Sequence, residues 1–293
     1  MNELLLQGLV NGIVVGLIYA LIGVSLNVIF GVLRVVNFAH GEFIVLGAYG
    51  AYFAQQLLGL SPLLAMPLVF LVFGLIGYGL YFLLVQRLSR SNDPEHASLL
   101  VMFGLSLVLG ALMLLAFEAD SRSLNFSLEP PFLMFGNVIL PTTKLLGLGV
   151  SVVITGCLAY FLYRTMPGKA LRAIIMNRDA IQIVGVDLNH LSALTFGLGL
   201  GLAGITGIIV SMIFPSFSPF IGQDYTLIGF IVIVLGGLGH PIGAVAGGIL
   251  FGLAEQTAMV FFSGTVAMLL GFVLLIAVIL IRPAGLFGVQ NLR

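Results

Sequence analysis

Residues 164–189 read RTMPGKALRAIIMNRDAIQIVGVDLN and form one of the longest polar interruptions in an otherwise apolar chain. Four of the eleven basic residues lie in this stretch: Arg164, Lys169, Arg172 and Arg178. Two groups of apolar residues recur at i, i+3 and i+4, the spacing of one helix face: Leu171, Ile174 and Ile175, then Ala180, Ile183 and Val184. The stretch is therefore predicted to form two short amphipathic helices.

The ends of these two helices carry residues that favour helix boundaries. Pro167 and Gly168 are expected to end the preceding membrane span. Asn177 is suited to cap the second helix, with Asp179 near its positive end, and Gly185 stands where a helix is commonly followed by glycine. A basic, twice amphipathic loop between two spans is predicted to face the cytoplasm. Its apolar faces would then contact the lipid surface or a partner protein.

The composition on both sides of this loop is that of a helical membrane protein. Of the 293 residues, 60% are apolar and 8% are charged, whereas about a quarter of the residues of a soluble domain are charged. The apolar runs are too long, and alternate too little, for the strands of a membrane barrel. The formal net charge is zero, so nothing indicates a nucleic-acid partner. We expect one all-α, polytopic transmembrane domain over residues 1–293, in contact with the lipid bilayer.

Nine apolar runs are candidates for membrane spans, each of which needs about 20 residues. They lie near 8–30, 42–58, 62–86, 97–117, 145–163, 190–213, 225–238, 241–262 and 265–281. The seventh run is short, so it is either a half-helix or part of its neighbour, and the predicted bundle has eight or nine spans. With nine, the basic residues after the third, fifth and last runs all lie in the cytoplasm. The N-terminus and the loop at about 118–143 then lie outside.

Glycine pairs spaced four residues apart predict close contacts between helices. Small residues at this spacing let helix backbones approach closely in a membrane, where hydrophobic burial does not drive helices together. The pairs are Gly12/Gly16, Gly197/Gly201, Gly243/Gly247 and Gly248/Gly252.

The chain carries no recognisable catalytic site. It has no Gly-x-x-x-x-Gly-Lys-Ser/Thr loop for ATP, and none of its four histidines stands at metal-ligand spacing from a cysteine or another histidine. No Ser–His–Asp set is apparent either. We therefore predict that the chain is not an enzyme and that it binds neither a cofactor nor a metal itself.

Two breaks between apolar runs resemble each other. The stretches 26–50 and 231–248 each join two runs through a glycine-rich break that contains one histidine, His40 in the first and His240 in the second. This likeness predicts a weak internal repeat of the kind from which transporters are built. Chance similarity in glycine-rich membrane sequence is the alternative.

Polar residues inside the apolar runs are candidates for a translocation pathway, because their burial in a membrane is costly. At the first break, Asn37 either caps the second span, with Glu42 favourable in its first turn, or joins His40 in binding a substrate carboxylate at the helix N-terminus. Gating and contact with the cytoplasmic partner are the remaining alternatives for this break. His240 occupies the second break. Glu255 lies inside the eighth run, where it either binds a neighbouring helix or lines the pathway.

Several stretches carry a resemblance to a known family. They are 36–42 (VNFAHGE) with 47–49, 168–173 (GKALRA), 235–239 (LGGLG) with 241–244, 247–248 and 254–255, and the ending 282–288. Together they resemble the membrane permease subunit of ATP-binding-cassette importers for branched-chain amino acids, specifically the first (H-type) of two paralogous permeases. The run at 37–42 is the most specific part.

This resemblance implies where an ATP-binding subunit docks. Permeases of this class dock it through a loop related to Glu-Ala-Ala-x-x-x-Gly, and residues 179–185 read Asp-Ala-Ile-x-x-x-Gly with the same spacing. The residues implied to couple the chain to ATP hydrolysis are Gly168, Arg172, Asp179, Ala180 and Gly185.

The resemblance also implies the partners and the solute. The partners are a sister permease, two ATP-binding subunits that hold ATP and magnesium, and an extracytoplasmic solute-binding protein, in a bacterial-type inner (plasma) membrane. Branched-chain amino acids are the implied solute, and urea or short-chain amides are the alternative because similar permeases carry them. His240 stands where relatives often have a small residue, which leaves the solute open.

Two other classes of function compete with the importer. A stand-alone secondary carrier needs acids inside the membrane for ion coupling, and Glu255 is its one good candidate. A purely structural membrane anchor would leave the polar breaks at 37–42 and 239–241 unexplained.

Overall fold

The computed structural model describes residues 2–88, 91, 93–136, 138–176 and 185–288. Within these residues the chain forms ten α-helices and one β-hairpin. The helices are α1 (Asn2–Leu33), α2 (His40–Leu58), α3 (Pro62–Leu88), α4 (Pro94–Phe117), α5 (Thr142–Arg164), α6 (Met166–Met176), α7 (Leu188–Ile213), α8 (Gly222–Gly236), α9 (Pro241–Ala258) and α10 (Gly264–Ile281). A π-helical turn at Tyr81–Val85 interrupts α3, and a 3₁₀ turn at Pro219–Ile221 precedes α8.

The prediction of an all-α membrane bundle is confirmed. Seven helices are long and apolar enough to cross a membrane: α1, α3, α4, α5, α7, α8 with its 3₁₀ turn, and α10. α2 and α9 have 19 and 18 residues but include Glu42 and Glu255 among their polar residues, and they are not among the seven. The number of spans, eight or nine, therefore stays a prediction. The seventh apolar run is not a half-helix, because the helical stretch Pro219–Gly236 reaches 18 residues.

The centre of the bundle is formed by α1 and α7. In the most apolar 18-residue segments of α1 and α7, 83% and 89% of the residues are buried. In those of α4 and α10, only 17% and 11% are buried. α9 packs antiparallel along α1, with its N-terminal end beside Asn27 and its C-terminal end beside Gly8. α2 and α3 pack on α7. Polar groups on the inner parts of α1 are therefore shielded from lipid by neighbouring helices.

The predicted glycine pairs lie at close helix contacts. A Cβ on Gly12 or on Gly16 would come within 2.8 Å of the α9 backbone. Gly248 and Gly252 face α1 at the same contact, so the two backbones meet without intervening side chains. The other two pairs pack in the same way, Gly197/Gly201 on α3 and Gly243/Gly247 on α8.

Hydrogen bonds bring the N-terminus and the loop at 118–143 together on one side of the bundle. This loop contains an antiparallel hairpin of β1 (Phe132–Phe135) and β2 (Val138–Pro141). The side chain of Gln7 accepts from the Ile139 N–H (2.9 Å) and donates to the Ile139 carbonyl (2.8 Å). The contact agrees with the prediction that both segments lie on the same, outer side.

Candidate functional site

The first break lies between the end of α1 and the start of α2. Arg34 turns the chain with a left-handed backbone (φ 53°), and the following residues return along α1. His40 Nε2 then lies 2.8 Å from the Ser25 hydroxyl oxygen. Ser25 precedes the end of α1 by about 12 Å, at ~1.5 Å of rise per residue. α2 therefore begins inside the bundle rather than at its surface.

The three predicted pathway residues of this break lie together and are buried. Asn37 and His40 are 0% exposed and Glu42 is 3% exposed. The prediction that Asn37 caps α2 is wrong, because the cap position is Ala39 and no side chain caps it. Asn37 Oδ1 instead accepts the Ala39 N–H (3.1 Å) and closes a local turn just before the helix. Glu42 does lie in the first turn of α2, where a negative charge is favourable.

Glu42 connects three helices. Its Oε1 accepts a hydrogen bond from the Ser106 hydroxyl of α4 (2.9 Å). Its Oε2 packs against the backbone of Gly222, the first residue of α8, where a Cβ would overlap it. Among the described residues, Oε2 has no hydrogen-bond partner. The Gly41 N–H donates to the Thr226 hydroxyl (2.9 Å), so the first turns of α2 and α8 are also joined directly.

A cavity of about 230 Å³ adjoins Glu42 between α2, α4 and the start of α8. Its polar lining comes from Glu42, Ser106 and Gln223, and its apolar lining includes Leu114 and Phe220. Small-molecule sites combine mostly apolar walls with a few convergent polar groups. The arrangement suits a small solute with one polar end and one apolar end.

The second break is the turn between α8 and α9, and Asn27 of α1 holds it in place. Asn27 Oδ1 accepts the Gly239 N–H (2.6 Å), and its Nδ2 donates to the His240 carbonyl (3.1 Å). His240 caps α9, because its Nδ1 accepts the Gly243 N–H (3.1 Å), and its ring stacks on Phe287 at 6.0 Å. His240 thus stabilises a helix start, and its place in the pathway stays a prediction.

Ser25 and Asn27 were not singled out from the sequence. They lie two residues apart on α1, and they bind the first and the second break respectively. Both are buried, at 0% and 1% exposure. The available signal was their polarity inside an apolar run, but their partners are distant in sequence, so no local pattern identifies them.

Glu255 lies apart from both breaks, in the contact between α1 and α9. It is 5% exposed, and its Oε2 accepts a hydrogen bond from the Tyr19 hydroxyl of α1 (2.8 Å). The Tyr19 ring packs on Phe251 at 5.6 Å between centroids. This geometry favours the first of the two predicted roles, a bond to a neighbouring helix.

The first of the two predicted amphipathic helices is α6. Leu171 and Ile174 are 1% and 4% exposed, and Ile175 packs beside Gly31 at the end of α1. The prediction that this apolar face contacts lipid or a partner protein is therefore wrong, because the chain's own bundle covers it. The predicted end of the preceding span is present at Thr165, and Pro167 and Gly168 lie just beyond it, in the first turn of α6. Proline is well tolerated there, since the N–H that it lacks would have no partner inside the helix.

The chain leaves α5 one residue before α6 begins. Thr165 is extended (φ −90°, ψ 156°) and its hydroxyl oxygen accepts the Gly168 N–H (3.2 Å). A Cβ on Gly168 would lie 2.6 Å from the Leu162 Cα. Arg172 donates from Nε to the Leu162 carbonyl (3.0 Å), and its guanidinium lies 4.4 Å from the centre of the Tyr163 ring. Gly168 and Arg172 therefore hold α6 against the end of α5.

The other predicted coupling residues are only partly described. Asp179 and Ala180, the capping residue Asn177 and the second amphipathic helix all fall at 177–184, outside the described residues. Gly185 has the left-handed backbone expected of it (φ 81°). Asp187 then caps α7 by accepting the Asn189 N–H (2.9 Å).

Metal binding has no support in the described part of the chain. There, no three His, Cys, Asp or Glu residues lie close enough together to hold a metal ion.

Comparison with known proteins gives one family match and several close relatives. The family model described as "Branched-chain amino acid transport system / permease component" matches residues 8–279. The chain is 31% identical over 296 residues to the high-affinity branched-chain amino acid transport system permease protein BraD of Pseudomonas aeruginosa, covering 97% of this chain and 95% of that protein. No solved structure matches significantly.

Two further relatives extend this similarity. The chain is 26% identical over 294 residues to LivH of Escherichia coli, with coverage of 97% and 95% of the two chains. It is 26% identical over 283 residues to a probable LivH of Methanocaldococcus jannaschii, with coverage of 92% and 88%. Both names describe branched-chain amino acid transport permeases.

Proposed function

The chain belongs to the family of permease components of branched-chain amino acid transport systems, and we propose that it forms one half of the translocation pathway of an ATP-driven importer. It is a multi-pass inner-membrane protein. The observation that carries the proposal is the family match over residues 8–279, which spans both breaks and α6. The buried polar groups of the breaks support it, because such groups are costly inside a membrane protein and commonly mark a solute pathway.

The rest of the importer consists of other chains. We expect a sister permease that supplies the second half of the pathway, two ATP-binding subunits that hold ATP and magnesium, and an extracytoplasmic binding protein that delivers the solute. ATP hydrolysis belongs to the ATP-binding subunits in this scheme. Support comes from the names of the relatives, which describe a permease protein of a larger transport system.

The coupling element of this chain is α6 with the residues that follow it, up to Gly185. α6 lies between α5 and α7 and buries Leu171 and Ile174 against the bundle. Gly168 and Arg172 hold it on the end of α5. A movement imposed on α6 by an ATP-binding subunit would therefore displace α5 directly, because closely packed helices move as rigid bodies. Asp179 and Ala180 complete the proposed docking surface.

The proposed pathway lies at the first break, where Asn37, His40 and Glu42 are buried. Glu42 also lines the cavity between α2, α4 and α8. His240 and Glu255 are the other residues proposed for the pathway, and each also makes a structural contact, with Gly243 and Tyr19 respectively. Branched-chain amino acids are the proposed solute, as the names of the relatives indicate.

The alternatives have less support. A stand-alone secondary carrier would need Glu255 for ion coupling, but that carboxylate is bonded to Tyr19 inside a helix contact. Urea or short-chain amides would be carried by the same class of importer, but none of the matched relatives is named for them.

The test begins with purification of the chain from its native membrane in mild detergent and identification of the proteins that co-purify. The assembly is then reconstituted into liposomes with ATP at the cytoplasmic face, and uptake of radiolabelled leucine and urea is compared. We expect two ATP-binding subunits, a sister permease and ATP-dependent leucine uptake. Solute flux by the chain alone without ATP would contradict the proposal of an ATP-driven importer. Uptake of urea without uptake of leucine would contradict the proposal that the solute is a branched-chain amino acid.

A further inference from the structure

We propose that Glu42 binds the ammonium group of the transported amino acid in the cavity between α2, α4 and α8. The inference rests on the proposed function and adds to it the part of the solute that this chain recognises. It differs from the hypothesis, drawn from the sequence, that the N-terminus of α2 binds the solute carboxylate together with Asn37 and His40. A carboxylate side chain stands at this cavity and would repel a second carboxylate.

The first argument is that the Glu42 carboxylate is buried and incompletely bonded. Glu42 is 3% exposed; Oε1 accepts one hydrogen bond from Ser106, and Oε2 has no hydrogen-bond partner among the described residues. No lysine or arginine in that part of the chain forms an ion pair with it. A buried carboxylate normally has a full set of partners or a cation. An ammonium group supplies up to three donors and the missing charge.

The second argument is the shape and chemistry of the cavity. Glu42, Ser106 and Gln223 provide oxygen acceptors at one part of the lining, and Leu114 and Phe220 contribute to an apolar wall. A branched-chain amino acid has a cationic group and an aliphatic side chain that match these two parts. The volume of about 230 Å³ lies below the ~300–1,000 Å³ of typical sites for drug-sized ligands. The cavity therefore suits a solute smaller than those ligands.

The third argument is that Glu42 differs from Glu255, the other acid that is buried among the described residues. The Oε2 of Glu255 is bonded to Tyr19 within a helix contact, which is sufficient to explain its burial. Glu42 instead lines a cavity. Its hydrogen bond from Ser106 comes from α4, a helix with only 17% of its most apolar 18-residue segment buried. Such a site discriminates an amino acid from urea, which carries no charge.

The experiment uses the complete importer in nanodiscs, without its binding protein, so that solute recognition is that of the membrane part. Binding of radiolabelled leucine is measured in competition with two analogues. Leucinamide keeps the ammonium group and lacks the carboxylate, whereas 4-methylpentanoate keeps the carboxylate and lacks the ammonium group. We expect leucinamide to compete within about threefold of leucine and 4-methylpentanoate to compete at least tenfold more weakly, as for the loss of one charged hydrogen bond.

Two variants test the residue itself. Glu42→Gln keeps the shape and removes the charge, so leucine should bind about tenfold or more weakly and the preference for leucinamide over 4-methylpentanoate should disappear. Glu42→Asp keeps the charge, so the preference should persist. Equal competition by the two analogues in the wild type, or an unchanged preference in Glu42→Gln, would overturn the proposal. If Glu42→Gln does not assemble, the analogue series and Glu42→Asp decide alone.

Failure of this inference is distinguishable from failure of the proposed function. ATP-dependent leucine uptake by the complete wild-type importer, with its binding protein present, is measured in parallel. Uptake together with no preference for the ammonium analogue would leave the importer standing and remove Glu42 as its ammonium site. Absence of amino-acid uptake by the wild-type importer would remove both.

Discussion

His40 Nε2 lies 2.8 Å from Ser25 Oγ, and this contact joins the start of α2 to the interior of α1. The Ser25 hydroxyl has one hydrogen, which it donates to the Ile22 carbonyl (2.8 Å). Ser25 Oγ therefore accepts from His40, and the histidine N–H is on Nε2. The contact fixes both the depth at which α2 begins and the orientation of its first turn, which carries Glu42.

Replacement of Ser25 by alanine should destabilise the bundle through His40. We expect the free energy of unfolding to fall by about 1–3 kcal/mol, because the buried Nε2–H is left without an acceptor. The measurement is unfolding in mixed detergent, together with leucine uptake by the assembled importer, which should fall as well. Ser211→Ala is the matched control, since Ser211 is 3% exposed and donates within its own helix to the Ile208 carbonyl. Equal losses in the two variants would show that the His40 contact contributes nothing.

Replacement of Asn27 by leucine should loosen the second break. The change removes hydrogen bonds to the Gly239 N–H and the His240 carbonyl, and each buried group left unpaired costs about 1–3 kcal/mol. Thermal unfolding in detergent should therefore occur at a clearly lower temperature. Asn11→Leu on the same helix is the control, because Asn11 Oδ1 is buried without a partner in the described residues and leucine loses little there. A smaller effect at Asn27 than at Asn11 would contradict the role of Asn27.

Two glycine-to-alanine changes should have opposite effects on stability. A Cβ on Gly16 would come within 2.8 Å of the α9 backbone, so Gly16→Ala should separate α1 from α9 and cost about 1–3 kcal/mol. Gly156 on α5 has open space around its Cα, so Gly156→Ala should be neutral or stabilise the helix by up to about 1 kcal/mol. Unfolding in mixed detergent compares the two. A neutral Gly16→Ala would show that α1 and α9 separate without loss.

Replacement of Gly168 by valine should uncouple ATP hydrolysis from uptake. The side chain would collide with the backbone at the end of α5 and displace α6. We expect ATP-dependent leucine uptake to fall at least tenfold while the assembly retains its basal ATP hydrolysis, because the ATP-binding sites lie on other chains.

The control for this change is Gly149→Val, a glycine of α5 with open space around it. Its uptake should stay within about twofold of the wild type. Normal uptake in Gly168→Val would show that the contact of α6 with α5 does not transmit the movement. Loss of basal hydrolysis in the same variant would place the defect in assembly rather than in coupling.

The helices and the amphipathic face of α6 could be predicted from the sequence because both depend on local periodicity. Leu171 and Ile174 repeat at the helical spacing and lie on one face of α6 as predicted, but that face packs on the chain's own bundle instead of on lipid or a partner protein. The capping role of Asn37 was predicted from the same kind of local rule and is wrong, because the chain turns back along α1 and α2 starts only at His40.

The sequence by itself determined the class of protein, the helical segments and the positions at which helices pack closely. Length, apolar content and glycine spacing are properties of a single segment, so they are readable without a fold. Tertiary structure alone decided which polar groups meet, since Asn27 binds Gly239, Tyr19 binds Glu255 and Ser106 binds Glu42. These pairs belong to different helices, and the packing of the helices, rather than any local pattern, brings their side chains within hydrogen-bonding distance.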